Sequence, residues 1–570
     1  MGVEVKMSKI LVTSALPYIN GVPHLGHMAG CLLPSDVYAR FERMMGQEVL
    51  YICGTDEHGT TSEVGALKAG MDVQSYCDMN HERHAKTYKD FELSFDFFGR
   101  TSTQENKEAT YHIFEQLDKN GYIEEKAIKQ VYSIDDNMFL ADRYITGTCP
   151  YCGYDKARGD QCENCTRVLE PTELIDAKST ISGSKNLEVR ETKHLFLNLP
   201  KLESKLAEWV KTKEPFWPDV AYTIALKWLK EGLQERCITR DLKWGFPVNK
   251  PGYEDKVFYV WFDAPIGYIG ITKQWEALDK GNRHWQDWWL NPKEVRHVEF
   301  MGKDNVPYHS ITFPATLLGT EENWTQVDFL KGFSYLTYDG GKFSKSENRG
   351  IFAEDAVKEF PVDYWRYWIM ANSPESSDAS FTWELFTGTI NKDLNGVLGN
   401  FVSRVLKMTS AKLGNFVPEG GELSAMEKDL TTALQRRVDD YIRYMETMEF
   451  RKALGELRAV WVEGNNYIST AEPWNVIKED EQRAKVILRC CINLIRIFAL
   501  LSAPIMPQTA QKMLDKLRCS MSSLKDFDVA AEMQFLKGGE GFEVGDMLFE
   551  RITVEKTEEM KVKYGSAQNV

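Results

Sequence analysis

Two histidines in the first part of the chain have the types and spacing for phosphate chemistry. His24 and His27 stand in Pro-His-Leu-Gly-His (23–27), just after an apolar run. At this spacing both imidazoles share one face of the first turn of a helix. Gly26 leaves room for a ligand to approach the backbone, and free N–H groups at a helix start favour an anion. The motif predicts a phosphate site; a capped helix with two surface histidines is the alternative.

A lysine-bearing loop, Asp-Gly-Gly-Lys-Phe-Ser-Lys-Ser (339–346), is the second motif and contains Lys342 and Lys345. Two lysines after a Gly-Gly turn suit a polyphosphate whose charge must be neutralised as it leaves. For this motif alone, a solvated basic loop is the alternative. HxGH after the first strand together with KFSKS after the last is similar to the signature pair of class I aminoacyl-tRNA synthetases.

Four of the eleven cysteines cluster with the spacing Cys-x2-Cys-x9-Cys-x2-Cys. Two such knuckles supply the tetrahedral thiolates that zinc needs, and four sulfur ligands leave no position open for chemistry. Paired disulfides are the alternative, which a cytosolic chain disfavours. One structural zinc is predicted, because residues 171–184 contain no second knuckle. Its ligands would be Cys149, Cys152, Cys162 and Cys165.

The apolar pattern predicts the elements that position these motifs. Residues 8–14 and 48–53 are predicted as buried strands around a helix at 25–44, which is the opening of a parallel α/β sheet. Further strands are predicted at 256–262 and 296–301. Such a sheet binds its ligand at the carboxyl ends of the strands.

Other stretches have a helical or mixed pattern. Residues 81–120 are predicted as helical, and residues 121–240 as short strands and turns. From about 383 to 517 nearly the whole chain has the spacing of amphipathic helices. Residues 542–552 are apolar enough to pack back on the body, and a frayed tail is predicted after them.

Composition and charge exclude several classes of protein. The chain has 570 residues and a net charge of −15. This charge excludes a protein that binds nucleic acid through phosphate contacts over its whole surface, because such a protein would be basic. A nucleic-acid partner would need local basic and aromatic patches. The longest apolar stretch, near 497–506, falls short of the ~20 residues of a membrane helix. Scattered cysteines and the lack of a signal-peptide pattern predict a cytoplasmic protein with no membrane partner.

Several segments resemble the methionyl-tRNA synthetase family, and the resemblance extends from about residue 8 to beyond 500. They are TSALPYINGVPHLGHMAG (13–30), ICGTDEHGT (52–60), VWFDAPIGYIG (260–270), MGKDNVPYHS (301–310) and GGKFSKS (340–346). The insert resembles the archaeal and eukaryotic cytosolic branch more than the organellar one. The resemblance implies a Rossmann-type α/β catalytic domain, split by a zinc-bearing connective insert and followed by an α-helical anticodon-binding domain.

Changes of pattern along the chain, near Gly121 and Pro361, together with this resemblance divide it into five segments. The catalytic domain occupies 1–120 and 241–360, the insert 121–240, the anticodon-binding domain 361–520, and a segment packing back on the body, with the tail, 521–570.

An aromatic pocket with one carboxylate would suit methionine, because a flexible thioether packs well on rings. Asp56 follows a strand, where its carboxylate can hold an ammonium, and by resemblance Tyr18, Trp261 and His309 would surround the thioether. For each aromatic residue, core filling is the alternative, and Phe313 stands where the family often has Trp. The predicted methionine-binding residues are Ala15, Leu16, Tyr18, Asp56, Trp261, Ala264, Pro265, Tyr268 and His309.

A glycine and a carboxylate after another strand, Gly302 and Asp304, suit adenine and ribose; a helix cap is the alternative for Asp304. By resemblance Arg240 would hold the substrate carboxylate or phosphate, with a structural ion pair as the alternative. The predicted catalytic residues are His24, His27, Lys342 and Lys345, and the predicted ATP-binding residues are Asn20, Gly26, Gly302, Asp304 and Lys345.

The helical domain is expected to recognise the anticodon, since unstacked bases are bound by aromatic platforms and arginine planes. Asn400, Arg404 and Trp474 match the family's anticodon-reading positions. A second asparagine that the family often carries one turn earlier appears here as Gly396. For Trp474 alone, a helix-packing tryptophan is the alternative.

The resemblance implies activation of L-methionine with ATP, then transfer to tRNA(Met), with magnesium and one structural zinc. It also implies removal of homocysteine as its thiolactone, and assembly with other translation proteins is a further expectation.

Other classes of protein are less consistent with these motifs. A small HxGH nucleotidyltransferase would not need the helical domain or the zinc insert. A scaffold would have no use for intact HxGH and KFSKS motifs. A synthetase for leucine, valine or isoleucine would carry a larger insert, and one for cysteine a metal in its pocket.

Overall fold

The computed structural model describes residues 9–140, 142–159, 162, 164, 165, 167, 169–341, 343 and 349–565. Both lysines of the KFSKS motif, Lys342 and Lys345, lie outside the described residues. The described chain divides into two compact units. The first contains the chain up to Val22, Leu50–Lys86 and Phe95–Gly332. The second contains Pro23–Val49, Thr87–Ser94 and the chain from Phe333 onwards.

A five-stranded sheet lies at the centre of the first unit. Its strands, in spatial order, are Val327–Phe333, Val295–Gly302, Lys9–Ser14, Glu48–Thr55 and Phe97–Arg100. The central strand runs parallel to Val295–Gly302, with Ser14 opposite Phe300, and Glu48–Thr55 runs parallel to Phe97–Arg100. The central strand is buried on both faces, as is usual for parallel sheets. The strands predicted at 8–14, 48–53 and 296–301 are confirmed.

Helices accompany this sheet, and one of them corrects a sequence prediction. Residues 256–262 were expected as a strand, but only Val257–Phe258 is extended, and the helix Val260–Ala277 follows at once. The predicted helical stretch 81–120 is interrupted by the strand Phe97–Arg100. The helices of this part of the chain are Thr60–Ala69, Val73–Asp90, Gln104–Lys119, Val260–Ala277, Gln286–Trp289 and Phe313–Gly319. One-turn or wide helical segments are Lys303–Asn305 and Tyr308–Thr312.

The insert contains longer elements than the predicted short strands and turns. Ile123–Ser133 and Leu187–Leu197 form an antiparallel ladder along their whole length. Arg236–Cys237 extends this sheet on one side and Met138–Phe139 on the other. A smaller sheet contains Ala157–Arg158, Ile145–Thr148 and Ile175–Ser179, and a further pair joins Thr239–Arg240 to Val257–Phe258. The helices are Leu199–Lys211 and Asp219–Glu231, with short turns at Asp142–Tyr144 and Pro171–Glu173.

The second unit is almost entirely helical among the described residues, which confirms the helical character predicted for 383–517. Its two strands, Leu336–Tyr338 and Ala379–Phe381, pair in parallel. The helical segments are Leu25–His27, Met28–Leu32, Leu33–Met44, Ala353–Glu359, Val362–Ala371, Trp383–Thr389, Ile390–Gly399, Asn400–Leu413, Ala425–Glu446, Phe450–Ala471, Pro473–Val476, Glu481–Ser502, Pro507–Lys516, Val529–Glu532 and Val554–Tyr564.

The last helix, Val554–Tyr564, corrects the prediction of a frayed tail. Thr553 caps its start by accepting a hydrogen bond from the Lys556 N–H, and Met560 is fully buried. At its end, the Tyr564 hydroxyl donates to Glu359 at 2.8 Å. Tertiary contacts of this kind stabilise a helix that local propensity alone would leave marginal.

Candidate active site

The candidate amino-acid pocket begins where the central strand ends. The loop after Ser14 pairs with the end of the next strand: the Asp56 N–H donates to the Pro17 carbonyl at 2.9 Å, and the Ile19 N–H donates to the Asp56 carbonyl at 3.1 Å. These bonds hold Tyr18 beside Asp56 in a parallel bridge. The structure therefore brings together two of the residues that sequence assigns to methionine, at the carboxyl edge of the sheet.

Asp56 is a buried carboxylate whose Oδ1 has no hydrogen-bond partner among the described residues. Its exposed fraction is 5%. Burial, followed by the charges of Asp263 and Glu57, raises the pKa of Asp56 well above its usual value. An orphaned, buried acid is costly, and such groups concentrate at functional sites. The geometry is that of an acceptor prepared for a cation.

Asp263 is a second buried carboxylate in this unit, and sequence reasoning missed it. It is fully buried, and its Oδ2 lies 2.6 Å from Nδ1 of His58. Its Oδ1, like that of Asp56, has no hydrogen-bond partner among the described residues. The available signal was a carboxylate inside the apolar run VWFDAPIGYIG, which a core-filling segment would not contain.

Several of the aromatic residues assigned to the pocket contact one another or a neighbouring ring in this unit. The Trp261 ring stacks on Tyr308 at 3.9 Å between centroids and meets Tyr18 edge-on at 6.3 Å. Tyr268 lies 5.8 Å from the His309 ring and 6.5 Å from Phe313. Trp261, Ala264, Pro265 and Tyr268 all belong to the helix Val260–Ala277, and Ala15 and Leu16 follow the central strand.

His309 is oriented by a buried carboxylate that the sequence analysis also missed. Its Nδ1 lies 3.0 Å from Oε2 of Glu299, and both residues are buried. On the other side, His297 Nε2 lies 3.3 Å from Glu299 Oε1. Burial would raise the pKa of Glu299, but the two histidines, His309 first, bring it below its usual value. An acidic residue inside a buried strand, in RHVEFM, was the available signal.

The two residues assigned to adenosine lie just past the strand Val295–Gly302. Gly302 directly precedes the turn Lys303–Asn305, and Asp304 lies within that turn. Asp304 is exposed, and a Cβ on Gly302 would meet no atom within 4 Å. The space above Gly302 is therefore open to a ligand.

Arg240, assigned by resemblance to the substrate carboxylate or phosphate, stacks on an aromatic ring. Its guanidinium lies 3.5 Å from the Tyr259 ring centroid and donates to the Thr239 carbonyl at 3.0 Å. Tyr259 directly precedes the helix that carries Trp261. The arginine is thus held at the base of the aromatic pocket helix.

In the second unit, the HxGH turn has a reciprocal pattern of hydrogen bonds. His24 Nδ1 accepts from the Gly26 N–H at 3.0 Å, and His27 Nδ1 accepts from the His24 N–H at 3.1 Å. A Cβ at Gly26 would lie 2.8 Å from His24 Cε1, so glycine is required for this approach. Burial, and then His27, lower the pKa of His24. A neutral imidazole that accepts at Nδ1 carries its proton on Nε2 and can donate from there.

The HxGH and KFSKS motifs meet through two rings of this unit. The His24 ring stacks on Phe343 at 4.7 Å with an interplanar angle of 5°. The segment beyond the motif also pairs with the turn, because the Ala353 N–H donates to the Pro23 carbonyl at 2.9 Å. Phe343 of the second motif therefore contacts the HxGH turn, whereas Lys342 and Lys345 lie outside the described residues.

The four clustered cysteines fit a zinc ion. Their Sγ atoms all lie within 4.8 Å of one another, with Cys149 to Cys165 at 3.9 Å and Cys152 to Cys162 at 3.6 Å. These separations are too long for disulfides. Zinc–sulfur bonds of ~2.3 Å in a tetrahedron place the sulfurs roughly 3.8 Å apart. The donor set and its spacing match a structural zinc site.

Two of the candidate anticodon residues are in contact. The Arg404 guanidinium lies 5.2 Å from the Trp474 ring centroid, and Asn400 is exposed one turn before Arg404 on the same helix. Trp474 is partly buried. No helix in the described part of the chain is both long and apolar enough to cross a membrane.

Comparison with known proteins agrees with this geometry. The family described as "tRNA synthetases class I (M)" matches residues 10–406, and "Anticodon binding domain of methionyl tRNA ligase" matches residues 417–569. The methionine–tRNA ligase of Streptomyces avermitilis is 50% identical over 572 residues, covering 98% of this chain and 100% of that protein. That of Cereibacter sphaeroides is 50% identical over 573 residues, covering 99% and 100%.

A solved structure shares the fold. The Mycobacterium tuberculosis methionyl-tRNA synthetase in complex with methionyl-adenylate has a TM-score of 0.76 to this chain. The two sequences are 24% identical, and the match covers 96% of this chain and 100% of that one.

A parallel sheet split by an insert, with an HxGH turn and a following helical region, defines a class I aminoacyl-tRNA synthetase, and this class is confirmed. Within that class, the chain belongs to the methionyl-tRNA synthetase family. The two relatives named above are bacterial, and the archaeal or eukaryotic branch expected from the insert stays a prediction.

Proposed function

We propose that the chain activates L-methionine with ATP to methionyl-adenylate and pyrophosphate, and then transfers methionine to the 3′ end of tRNA(Met). The observation that carries this proposal is the buried, unpartnered Oδ1 of Asp56 in a unit lined by Tyr18, Trp261 and Tyr268. A carboxylate for an ammonium beside rings for a thioether is the recognition chemistry of methionine. The reaction serves translation, and a cytoplasmic location follows as part of the proposal.

In the pocket, Asp56 binds the α-ammonium group. Tyr18, Trp261 and His309 surround the thioether, since sulfur is attracted to aromatic rings. Ala15, Leu16, Ala264, Pro265 and Tyr268 complete the pocket for the side chain. Arg240, held on Tyr259, attracts the carboxylate that will attack.

Activation is an in-line attack of the methionine carboxylate on the α-phosphorus of ATP. The new bond joins carboxylate oxygen to phosphorus, the bond to the bridging oxygen breaks, and pyrophosphate leaves. No protein nucleophile is needed, because orientation and charge stabilisation supply the catalysis. His24 and His27 donate from Nε2 to the phosphates, and Lys342 and Lys345 neutralise the leaving pyrophosphate.

The remaining nucleotide contacts come from short segments near strand ends. Gly302 and Asp304 bind adenine and ribose, and Asn20 and Gly26 line the path of the phosphates. ATP enters as its magnesium complex, so the magnesium ion belongs to the substrate. The terminal adenosine of tRNA then attacks the adenylate through a ribose hydroxyl and releases AMP.

Cys149, Cys152, Cys162 and Cys165 hold one zinc ion, which cross-links the insert and supplies no catalytic chemistry, because all four positions are filled by sulfur. Arg404 and Trp474 present adjacent planes on which anticodon bases stack, and Asn400 supplies hydrogen bonds to a base edge. Other translation proteins are further candidate partners of the assembled enzyme.

Homocysteine sets the limit of the pocket's selectivity. It lacks one methyl group, which a pocket can reject by only about 1–3 kcal/mol. We propose that homocysteinyl-adenylate is removed in the synthetic site, where the homocysteine thiol attacks its own activated carbonyl and AMP leaves. Incubation with homocysteine and ATP should yield the thiolactone, and absence of thiolactone would exclude this editing.

Aminoacylation of tRNA tests the whole proposal. Purified chain, ATP and radiolabelled methionine should charge initiator and elongator tRNA(Met). Trp474→Ala should reduce charging while leaving methionine-dependent pyrophosphate exchange unchanged. A protein that forms adenylate but charges no tRNA would contradict the proposed second step.

A further inference from the structure

One buried carboxylate contacts two imidazoles, and only one of these imidazoles belongs to the proposed methionine pocket. Glu299 lies in the strand Val295–Gly302 and is buried. Its Oε2 lies 3.0 Å from Nδ1 of His309, and its Oε1 lies 3.3 Å from Nε2 of His297. The proposed activation of methionine assigns no step to Glu299.

The imidazole of His297 is enclosed by the core. Its Nε2 also lies 3.1 Å from the Thr13 hydroxyl, and the backbone N–H of His297 donates to Asp328 at 3.1 Å. The Trp289 ring meets the imidazole edge-on at 5.1 Å between centroids, and His297 is buried. This side of Glu299 is therefore held by the protein itself and offers nothing to a ligand.

The imidazole of His309 is held by Glu299 through one ring nitrogen. Among the described residues its hydrogen bond is at Nδ1, and its ring lies 5.8 Å from that of Tyr268, another residue assigned to the pocket. Although burial raises the pKa of Glu299, the charges of His309 and then His297 bring it below its usual value, so the carboxylate is ionised. A neutral imidazole that donates Nδ1–H to a carboxylate has a lone pair on Nε2. Glu299 therefore fixes both the orientation of the ring and the nitrogen that can accept a proton.

An accepting nitrogen treats methionine and homocysteine differently. The sulfur of methionine carries a methyl group in place of a hydrogen, so methionine has no proton to give at that position. The thiol of homocysteine can donate to Nε2 and lose its proton there. Because binding alone rejects a missing methyl group only about 10–200-fold, a base that acts on the thiol alone adds discrimination after activation.

We propose that His309 is the general base in the removal of homocysteinyl-adenylate and that Glu299 is its positioning residue. Nε2 of His309 takes the thiol proton, and the thiolate attacks the acyl carbon. A bond forms between sulfur and that carbon, the bond from the carbon to the phosphate oxygen breaks, and AMP leaves with the electron pair. The products are the thiolactone, AMP and an imidazolium, which Glu299 stabilises until the proton passes to water.

This role rests on the editing proposed above, whereas the proposed activation of methionine does not depend on it. The test therefore starts from the bound adenylate. Rapid quenching of the full, zinc-loaded protein with homocysteine and limiting ATP follows labelled adenylate as it decays to thiolactone. Glu299→Gln should lower the rate constant of this decay about tenfold or more, because general base catalysis contributes about 10²–10⁴-fold. An unchanged rate constant would overturn the proposal.

Selenohomocysteine separates the loss of a base from a merely structural effect. Its selenol is already ionised at neutral pH, so its cyclisation needs no base. Glu299→Gln should therefore slow the decay of homocysteinyl-adenylate and leave that of selenohomocysteinyl-adenylate nearly unchanged. Equal slowing of the two decays would mean that the variant disturbs the pocket as a whole, and would overturn the proposed role.

Two further variants make the outcome independent of how well Glu299→Gln folds, which thermal unfolding checks. Glu299→Asp keeps the charge but withdraws it from Nδ1 of His309, so it should show the same selective loss to a smaller extent. Asp241→Asn is the control, because Asp241 Oδ2 lies 2.9 Å from Nε2 of another buried imidazole, His194, and it should change neither decay.

The two possible failures are distinguishable. Methionine-dependent exchange without any thiolactone from the unaltered protein would exclude the proposed editing and this role with it. Thiolactone formed at equal rates by the unaltered protein and by the folded Glu299 variants would overturn the role alone.

Discussion

At the scale of single residues, Asp56 explains most about what this chain binds. The side chain is buried, and one carboxylate oxygen has no partner among the described residues. Such a group lowers stability unless a ligand satisfies it. In the proposed function, the ammonium group of a free amino acid supplies the cation that Asp56 would bind, and the neighbouring rings would favour a thioether side chain.

Asp56→Asn should therefore raise the KM for methionine and spare that for ATP. Losing one partner of a buried, hydrogen-bonded charge pair costs about 2–5 kcal/mol, so kcat/KM for methionine should fall by about 30-fold or more. Pyrophosphate exchange at varied methionine measures this. The matched control is Asp363→Asn, a buried carboxylate of the second unit whose Oδ2 accepts from the Thr509 N–H. An equal loss in both variants would contradict the assignment.

Methionine binding should depend on pH through the same carboxyl. Burial, then Asp263 and Glu57, raise the pKa of Asp56. An acid with a raised pKa holds its proton more tightly in the folded chain, so its contribution to stability is present at low pH and is lost as pH rises through the folded pKa. The ammonium needs the ionised form, so methionine binding should weaken as pH falls and should release a proton. Calorimetry in two buffers of different ionisation enthalpy measures that release, which should vanish in Asp56→Asn.

At the scale of elements, the sequence predicts the positions of the motifs better than it predicts whether an apolar run forms a strand or a helix. HxGH, KFSKS and the cysteine knuckles combine rare residue types at fixed spacing, so their positions can be read without tertiary information. The run around VFYVWF is apolar on every side, and periodicity cannot separate a buried strand from a buried helix. The structure has the helix Val260–Ala277 where the sequence analysis predicted the end of a strand, and Pro265 lies inside this helix.

The C-terminal helix shows a second limit. Val554–Tyr564 depends on pairs with residues distant in sequence, since Lys563 and Tyr564 both bond to Glu359. Glu299 and Asp263 were missed for the same reason, because their roles come from His309 and His58, which the sequence does not place beside them.

The small sheet of the insert should depend on its metal. Cys165→Ser should reduce the zinc content from one ion per chain, because a structural site needs all four thiolates. Hydrogen exchange should then accelerate in Ile145–Thr148 and Ile175–Ser179, which pair in that sheet. Cys519→Ser, outside the cluster, should retain both the zinc and the protection. Zinc-free protein with an equally protected sheet would contradict a structural role.

At the scale of the whole molecule, a buried arginine ties together distant parts of the second unit. Arg366 is fully buried and contacts Asp36 at 2.6 Å, and it donates to the Ile505 and Phe91 carbonyls at 2.7 and 3.0 Å. The helix Leu33–Met44 therefore belongs physically with the helical part of the chain, although the sequence boundary at residue 120 placed it with the sheet. The boundaries of the five predicted segments stay predictions.

Removing this arginine should destabilise the unit strongly. Arg366→Met leaves Asp36 buried without its charge partner, which costs about 3–5 kcal/mol in the free energy of unfolding. Burial would raise the pKa of Asp36, but Arg366 and then Arg40 lower it, so this stabilisation exists at neutral pH and is lost as pH falls through the folded pKa. Urea denaturation measures the loss. Arg443→Met, which breaks an exposed pair with Asp440, should leave the urea midpoint nearly unchanged, because solvent screens such a pair.

The central claim, that this chain activates methionine, is tested most directly by ATP–pyrophosphate exchange with each of the twenty amino acids and homocysteine. The geometry of Asp56 and its rings predicts exchange with methionine and weaker exchange with homocysteine. Exchange with a different amino acid would retain the class but contradict the pocket. No exchange by protein shown to hold one zinc would contradict the roles of His24, His27 and Lys345.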